Sequence, residues 1–235
     1  MLGPENIEAV KKIIKLWKLI LFLKFPIVHL RSIMKEKIIA KASEMFITLG
    51  FKSVTMDDIA QQMGISKKTI YAHFKNKTSL VKEATLSLFQ IINYGIDCIC
   101  ELDKNPIEEL YDIKKFVMMH LKDEKSSPQY QLQKYYPEIF RTLKNKQFEL
   151  MQDCTVKNLT KGISLGLYRD TIDVEFISRI YFIGVNGIKD DSLFPNQTFT
   201  KSQLMENYLE YHLRGIVTKK GQLILNNFIN SQTND

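Results

Sequence analysis

Between residues 55 and 77 the chain collects side chains that hydrogen-bond to anions and to the edges of nucleic-acid bases. The stretch ISKKTIYAHFKNK, residues 65–77, sets four lysines, a histidine, a tyrosine and a threonine around three large apolar residues, Ile65, Ile70 and Phe74. On a helix Ile70 and Phe74 share one face, so Lys68 and Ala72 project opposite to it and Thr69 and Tyr71 lie on the flanks. Lysine suits the O6 and N7 acceptors of guanine, and an alanine methyl suits the methyl of thymine. Lys67, Lys68, Thr69 and Ala72 are therefore the candidates for reading bases in a major groove. Tyr71, His73 and Lys77 fall on the rim, where phosphate contacts fix register without reading sequence, and Thr55 adds a hydroxyl beside free amides. A solvated surface role is the plain alternative for each side chain alone, and capping comes first for Thr55 and Ser66.

Such groups need a rigid mount, and the flanking residues have the pattern of one. In MKEKIIAKASEMFITLG, residues 34–50, Ile38, Ala42, Met45, Phe46 and Leu49 recur at steps of three and four, an apolar stripe on a charged helix stopped by Gly50. Thr55 and Asp58 are spaced as a capping box opening a short second helix that ends at Gly64. Ser66 caps a third helix predicted to run to Phe74. Two helices crossing steeply through a tight turn need a small residue at the contact and a residue that tolerates positive φ. Ala60 and Gly64 meet those needs. Ile59, Met63, Ile65, Ile70 and Phe74 then close a small core against the first helix. The expected unit is a helix-turn-helix, whose second helix enters the major groove by its outward face.

The charge distribution agrees with a polyanion partner for this part of the chain. The net charge of +7 over 235 residues is uneven: residues 1–33 and 34–78 are each at +4, and residues 79–235 are at −1. A hydrophobic share of 45% with 25% charged residues fits a folded chain rather than a disordered one. Three cysteines, Cys98, Cys100 and Cys154, are too few for a disulfide framework and lack the spacing of a zinc site, so they read as reduced core thiols in the cytoplasm. No phosphate-cradling, zincin or nucleophile-elbow motif is present, and His120 with Asp123 and Glu124 reads as one turn of charged helix. No enzyme, metal or cofactor is expected.

Residues 1–33 contain KKIIKLWKLILFLKFPIVHL, where Lys15, Lys18 and Lys24 break the apolar run well short of the roughly 20 residues a spanning helix needs. Two readings stand: a basic amphipathic helix over residues 11–30 resting on a lipid or protein surface, or an extension outside a native chain that begins at Met34. No membrane partner is expected.

From residue 76 onward the pattern is all-α. Asn76 can cap a long helix to about residue 101, and punctuation at Pro106, Pro128 and Pro137 separates helices near 107–123, 129–135 and 138–161. Gly162 and Gly166, with the stretch LYRD, form a break before helices at 173–189 and 201–217. The helix at 173–189 is apolar nearly all round, which predicts burial on two sides, most simply against a second copy of the chain. Phe116, Met119, His120, Tyr130, Tyr135 and Phe148 are soft or aromatic residues on the middle helices, suited to an apolar ligand or to plain core, and no ligand site is assigned among them.

TMDDIAQQMGISKKTIYAHFKNKTSL, residues 55–80, resembles the DNA-binding signature of the TetR family of bacterial transcriptional regulators, with the match extending over residues 34–80. The resemblance implies an all-α homodimer with an N-terminal three-helix reading head at 34–80. It also implies a helical ligand-sensing and dimerisation bundle at 81–235, with repression relieved by a small molecule and transmission through the helix at 77–101. By position, Lys67, Lys68 and Thr69 match the base-reading segment, and Tyr71, His73 and Lys77 match backbone-contacting residues. Met56 replaces a hydroxyl residue, which removes one expected phosphate contact. The function expected is a cytoplasmic regulator that binds double-stranded DNA at a palindromic operator and is released by an unidentified effector. A membrane-surface protein using residues 11–30 and a sequence-indifferent DNA binder are the alternatives.

Overall fold

The computed structural model describes residues 26–121, 128–195 and 197–232, and the chain there is helical apart from one isolated bridge between Tyr168 and Val217. The helices are α1 (Pro26–Leu49), α2 (Met56–Met63), α3 (Lys67–Tyr71), α4 (Lys77–Cys100), α5 (Pro106–Leu121), α6 (Pro128–Tyr135), α7 (Pro137–Ser164), α8 (Val174–Gly187), α9 (Lys201–Ile216) and α10 (Lys219–Gln232). Contacts divide them into two units. The first comprises the chain up to Phe89 with residues 123–140, and the second comprises residues 90–122 with residues 141–235. The expectation of an amphipathic helix over residues 11–30 lies, up to residue 25, outside the described residues.

In the first unit α1 (Pro26–Leu49) reaches upstream of Met34. Ile38, Ala42, Met45 and Phe46 are buried as their spacing predicts, but Leu49 is 56% exposed. The chain turns at Gly50, φ +90°, and Phe51 fills the core beyond the helix end, its ring stacked 5.2 Å from that of Phe46. Ile59, Ile70, Phe74, Leu80 and Val81 complete this core, with Met63 and Ile65 half-buried at its edge. Ser43 on α1 donates to the Ala84 carbonyl of α4 at 3.2 Å, so polar bonds as well as packing tie the first and fourth helices.

The second unit is built around Ile107, Leu110, Tyr111, Leu159, Leu167, Tyr168, Leu209, Leu213, Ile216 and Leu225. The expected break at Gly162 is absent, because α7 continues to Ser164 and the chain turns instead at Gly166, φ +66°. Gly162 serves close approach: a Cβ there would lie 2.1 Å from the Tyr168 ring. That ring is buried and its hydroxyl donates to Asn158 Oδ1 at 3.1 Å, while Asn158 Nδ2 donates to the Pro106 carbonyl and to Glu109. A buried polar chain of this kind is tolerated because each member has a partner. Helix α10 has no counterpart in the sequence reading, although Leu225, Phe228 and Ile229 follow helical spacing and Leu225 is fully buried.

Candidate nucleic-acid interface

The turn joining α2 to α3 is assembled from local chemistry. The Asp58 amide donates to Thr55 Oγ1 at 3.1 Å and the Thr55 amide donates to Asp58 Oδ2 at 2.8 Å, which completes the capping box. Gly64 closes α2 at φ +63°, a conformation costly for residues with a Cβ, and the Ile65 amide donates back to the Ala60 carbonyl at 3.0 Å. Ser66 then caps α3 by accepting from the Thr69 amide at 3.1 Å. Here the structure corrects the sequence reading: α3 stops at Tyr71, not Phe74. The amides of His73 and Phe74 both bond to the Ile70 carbonyl at 2.9 Å, a tightened last turn that drives the Phe74 ring into the core.

The candidate base-reading residues stand on the outward side of α3, but with unequal freedom. The Lys67 ammonium pairs with Asp57 of α2 at 2.7 Å, and this bond holds its pKa above the usual lysine range. It also lies 6.0 Å from the centre of the Tyr71 ring. The Thr69 hydroxyl shares a 2.9 Å hydrogen bond with that of Ser66, so it turns back onto the cap. Lys68 and Ala72 are exposed.

Among the candidate phosphate residues, the Thr55 hydroxyl is engaged with Asp58, whose carboxyl is held below its usual range by the bonds from Thr55. Tyr71 is exposed and His73 half-buried. Lys77, at the start of α4, donates to the Lys52 carbonyl at 3.4 Å, and burial lowers its pKa. Asn76 caps α4 by accepting from the Ser79 amide at 2.9 Å.

Two features escaped sequence reasoning. Met56, read only as a missing hydroxyl, is a core residue, 5% exposed. Gln131 of α6 accepts from the Lys52 amide at 3.0 Å, so the loop ahead of Thr55 is gripped at its amide by α6 and at its carbonyl by Lys77. A partner 79 residues away has no local signal in the sequence.

The residues considered for a ligand are not brought together. Phe116 and His120 pack on each other at 4.4 Å in the second unit, Phe148 meets Phe182 at 5.1 Å, and Tyr130 and Tyr135 are exposed in the first unit. A cleft of about 330 Å³ between α5 and α10 is lined by Glu108, Ile224, Asn227, Phe228 and Ser231, none of them in the expected set. Among the described residues no helix is long and apolar enough to cross a membrane, and no group of three or more His, Cys, Asp or Glu could hold a metal ion.

A capped helix-turn-helix with a cationic outward helix, ahead of an all-helical second unit, defines a DNA-binding transcriptional regulator. Residues 38–84 match the model for bacterial regulatory proteins of the tetR family. It is 24% identical over 198 residues to the HTH-type transcriptional repressor KstR2 of Mycolicibacterium smegmatis, an alignment covering 80% of this chain and 92% of that protein. It is 29% identical over 100 residues to IcaR, the negative transcriptional regulator of the biofilm operon icaADBC in Staphylococcus aureus, covering 37% of this chain and 52% of that one. The fold is that of a TetR-family transcriptional regulator from Agrobacterium tumefaciens, with a TM-score of 0.65 at 19% identity over 80% of this chain and all of that one. Regulators of this family are generally non-enzymatic, dimeric DNA-binding proteins with small-molecule effectors.

Proposed function

We propose that this protein is a cytoplasmic repressor that binds a palindromic operator as a homodimer and is released by a small molecule taken up in the second unit. The observation that carries the reading is the α2–α3 pair. Its caps, αL glycine and buried Ile70 and Phe74 fix a helix whose exposed side carries Lys68 and Ala72. In this proposal Lys67, Lys68, Thr69 and Ala72 read base edges, and Thr55, Tyr71, His73 and Lys77 hold phosphates. Residues 34–80 act as the reading head and residues 81–235 as the sensing and dimerising body. The repressor names of the KstR2 and IcaR relatives favour repression over activation.

Dimerisation through α8 and α9 is supported by side chains left outside the subunit core. Phe176 and Ile183 on α8 are 58% and 61% exposed, Ile180 lies between them on the same stripe, and Tyr211 on α9 is 77% exposed. A continuous apolar stripe of this kind marks an interaction surface. A palindrome is read by two symmetry-related reading helices about one DNA turn apart, and a two-fold dimer supplies two such helices. Selection of bound fragments from random DNA tests the reading: a two-fold symmetric motif should be enriched. Binding with a steep salt dependence and no preferred motif would return the sequence-indifferent alternative.

A further inference from the structure

Helix α6 falls among residues 81–235 by sequence, yet its contacts group it with the reading head in the first unit. Its sequence, PQYQLQKY, holds one lysine and no acidic residue. Leu132 is buried, and Tyr136, just past the helix end, sets its ring 6.2 Å from that of the buried Phe51, so this face of α6 docks onto the head. Tyr130 and Lys134, also four residues apart, are exposed, as is Tyr135.

The joint between α6 and the loop ahead of α2 is held from two sides. Gln131 accepts from the Lys52 amide at 3.0 Å, and its side chain fits against Gly50, where a Cβ would lie 2.6 Å from Gln131 Nε2. On the other side Lys77 donates to the Lys52 carbonyl at 3.4 Å. Phe51 turns into the core and Lys52 beside it is exposed.

This joint brings two ammonium groups to one ring. Lys52 Nζ and Lys134 Nζ each lie 5.7 Å from the centre of the Tyr135 ring, and Lys134 Nζ also donates to the Tyr130 hydroxyl at 3.4 Å. An aromatic ring face attracts a cation. Among the described residues neither lysine is paired with a carboxylate. Two like charges about one ring with no counter-charge raise the local potential, and an anion lowers it.

The patch also has a defined neighbour. The Lys77 ammonium that holds the Lys52 carbonyl is a proposed phosphate contact, and Thr55, another, follows Lys52 by three residues. Lysine ammonium and tyrosine hydroxyl groups are both donors that proteins offer to phosphate oxygens.

We propose that Lys52 and Lys134, mounted on Tyr135 with the Tyr130 hydroxyl beside them, form a second DNA-backbone contact on phosphates bordering those held by Thr55 and Lys77. The occupant is DNA rather than an acidic protein surface because the patch continues the phosphate-holding edge of the head. This inference rests on the proposed DNA-binding role and extends it to α6, outside residues 34–80.

The test titrates the full chain into two labelled duplexes over a range of salt concentrations, one carrying the two-fold motif obtained by selection and one of arbitrary sequence. Lys52→Gln combined with Lys134→Gln should weaken binding to both duplexes alike. The loss should be about fivefold at physiological salt, and the fall in salt slope about 1, for each lysine removed from a bound chain. Lys52→Arg with Lys134→Arg should keep wild-type binding. Lys144→Gln with Lys146→Gln removes the same charge from exposed positions on α7 and should leave the slope unchanged. Hydroxyl-radical footprinting of the first variant on the motif should lose protection at the bordering backbone positions and keep it around the groove read by α3. An effect no larger than that of the α7 pair, or an unchanged footprint, overturns the second contact and leaves the α3 reading standing. Equal affinity for the two duplexes refutes the palindromic operator alone, since the slope is read on either. A wild-type chain that binds neither duplex overturns the proposed function and this inference with it.

Discussion

His212 makes the stability of this protein sensitive to acid. It sits on α9 with its ring 4.7 Å from that of Tyr181 and 6.1 Å from that of Tyr208, and burial pushes its pKa from 6.5 down to about 4. The depressed value means that between these two pH values the unfolded chain takes up a proton that the folded chain refuses. The associated stability is therefore complete above pH 6.5 and is lost as the pH falls toward 4. At 1.36 kcal/mol for each unit of pKa, the loss is about 2 kcal/mol at pH 5 and about 3 kcal/mol at pH 4. That is a large share of the 5 to 15 kcal/mol that roughly bounds the stability of a domain. Replacing His212 with Gln removes the proton acceptor while keeping a polar side chain of similar length. Urea unfolding of both proteins at fixed concentration, followed by circular dichroism from pH 7 to pH 4.5, isolates the effect as the difference between the two pH slopes. The wild type should lose about 2 kcal/mol more than His212→Gln over that interval. Equal slopes, or an NMR titration of the His212 ring with a midpoint near 6.5, would refute the reasoning.

On the DNA side, Lys68→Ala should relax base preference at one half-site position by about 1 to 3 kcal/mol, measured by competition among variant sites. Lys77→Ala should weaken all sequences alike and reduce the salt slope by about 1, and an exchange of the two behaviours would show that the helix face is assigned wrongly. Gly162→Ala should destabilise the second unit by about 1 to 3 kcal/mol in denaturant titration, since its Cβ would sit 2.1 Å from the buried Tyr168 ring. Ile183→Glu should convert a sedimenting dimer to monomer at micromolar concentration and abolish binding to a two-fold site while leaving the circular dichroism spectrum unchanged.

The parts of this fold that were legible in the sequence are those fixed by short-range chemistry. Thr55 with Asp58, Ser66 with Thr69 and Asn76 with Ser79 are all three apart, so the starts of α2, α3 and α4 can be read from residue types alone. The end of α3 could not. Ile70 and Phe74 have helical spacing, yet the chain leaves the helix at Tyr71, because Phe74 enters the core through a tightened turn rather than along a helix face. Gly162 misled for a related reason. A glycine within a helical pattern signals either a break or a close approach, and the Tyr168 ring that decides between them arrives through a turn made later in the chain. Gln131 and the Lys52 amide are joined only by tertiary structure.

The internal bonds of the reading head also set the terms on which it could meet DNA. Thr55, Ser66, Thr69 and Lys67 all have hydrogen-bond partners within the head. Their groups add to affinity only by exchanging one partner for another, and an exchange yields less than a new bond. For Lys67 the exchange has a sign: Asp57 and Asp58 lie at the start of α2, and a phosphate approaching there meets two carboxylates as well as the helix dipole. Lys68 stands exposed on the outward face, so its contact with a base would add to binding with less internal loss. Within the proposed set, discrimination between bases should therefore depend most on Lys68. Thr55 should show its largest effect in folding, where it caps the first turn of α2, and so should Thr69, whose hydroxyl bonds to the Ser66 cap of α3.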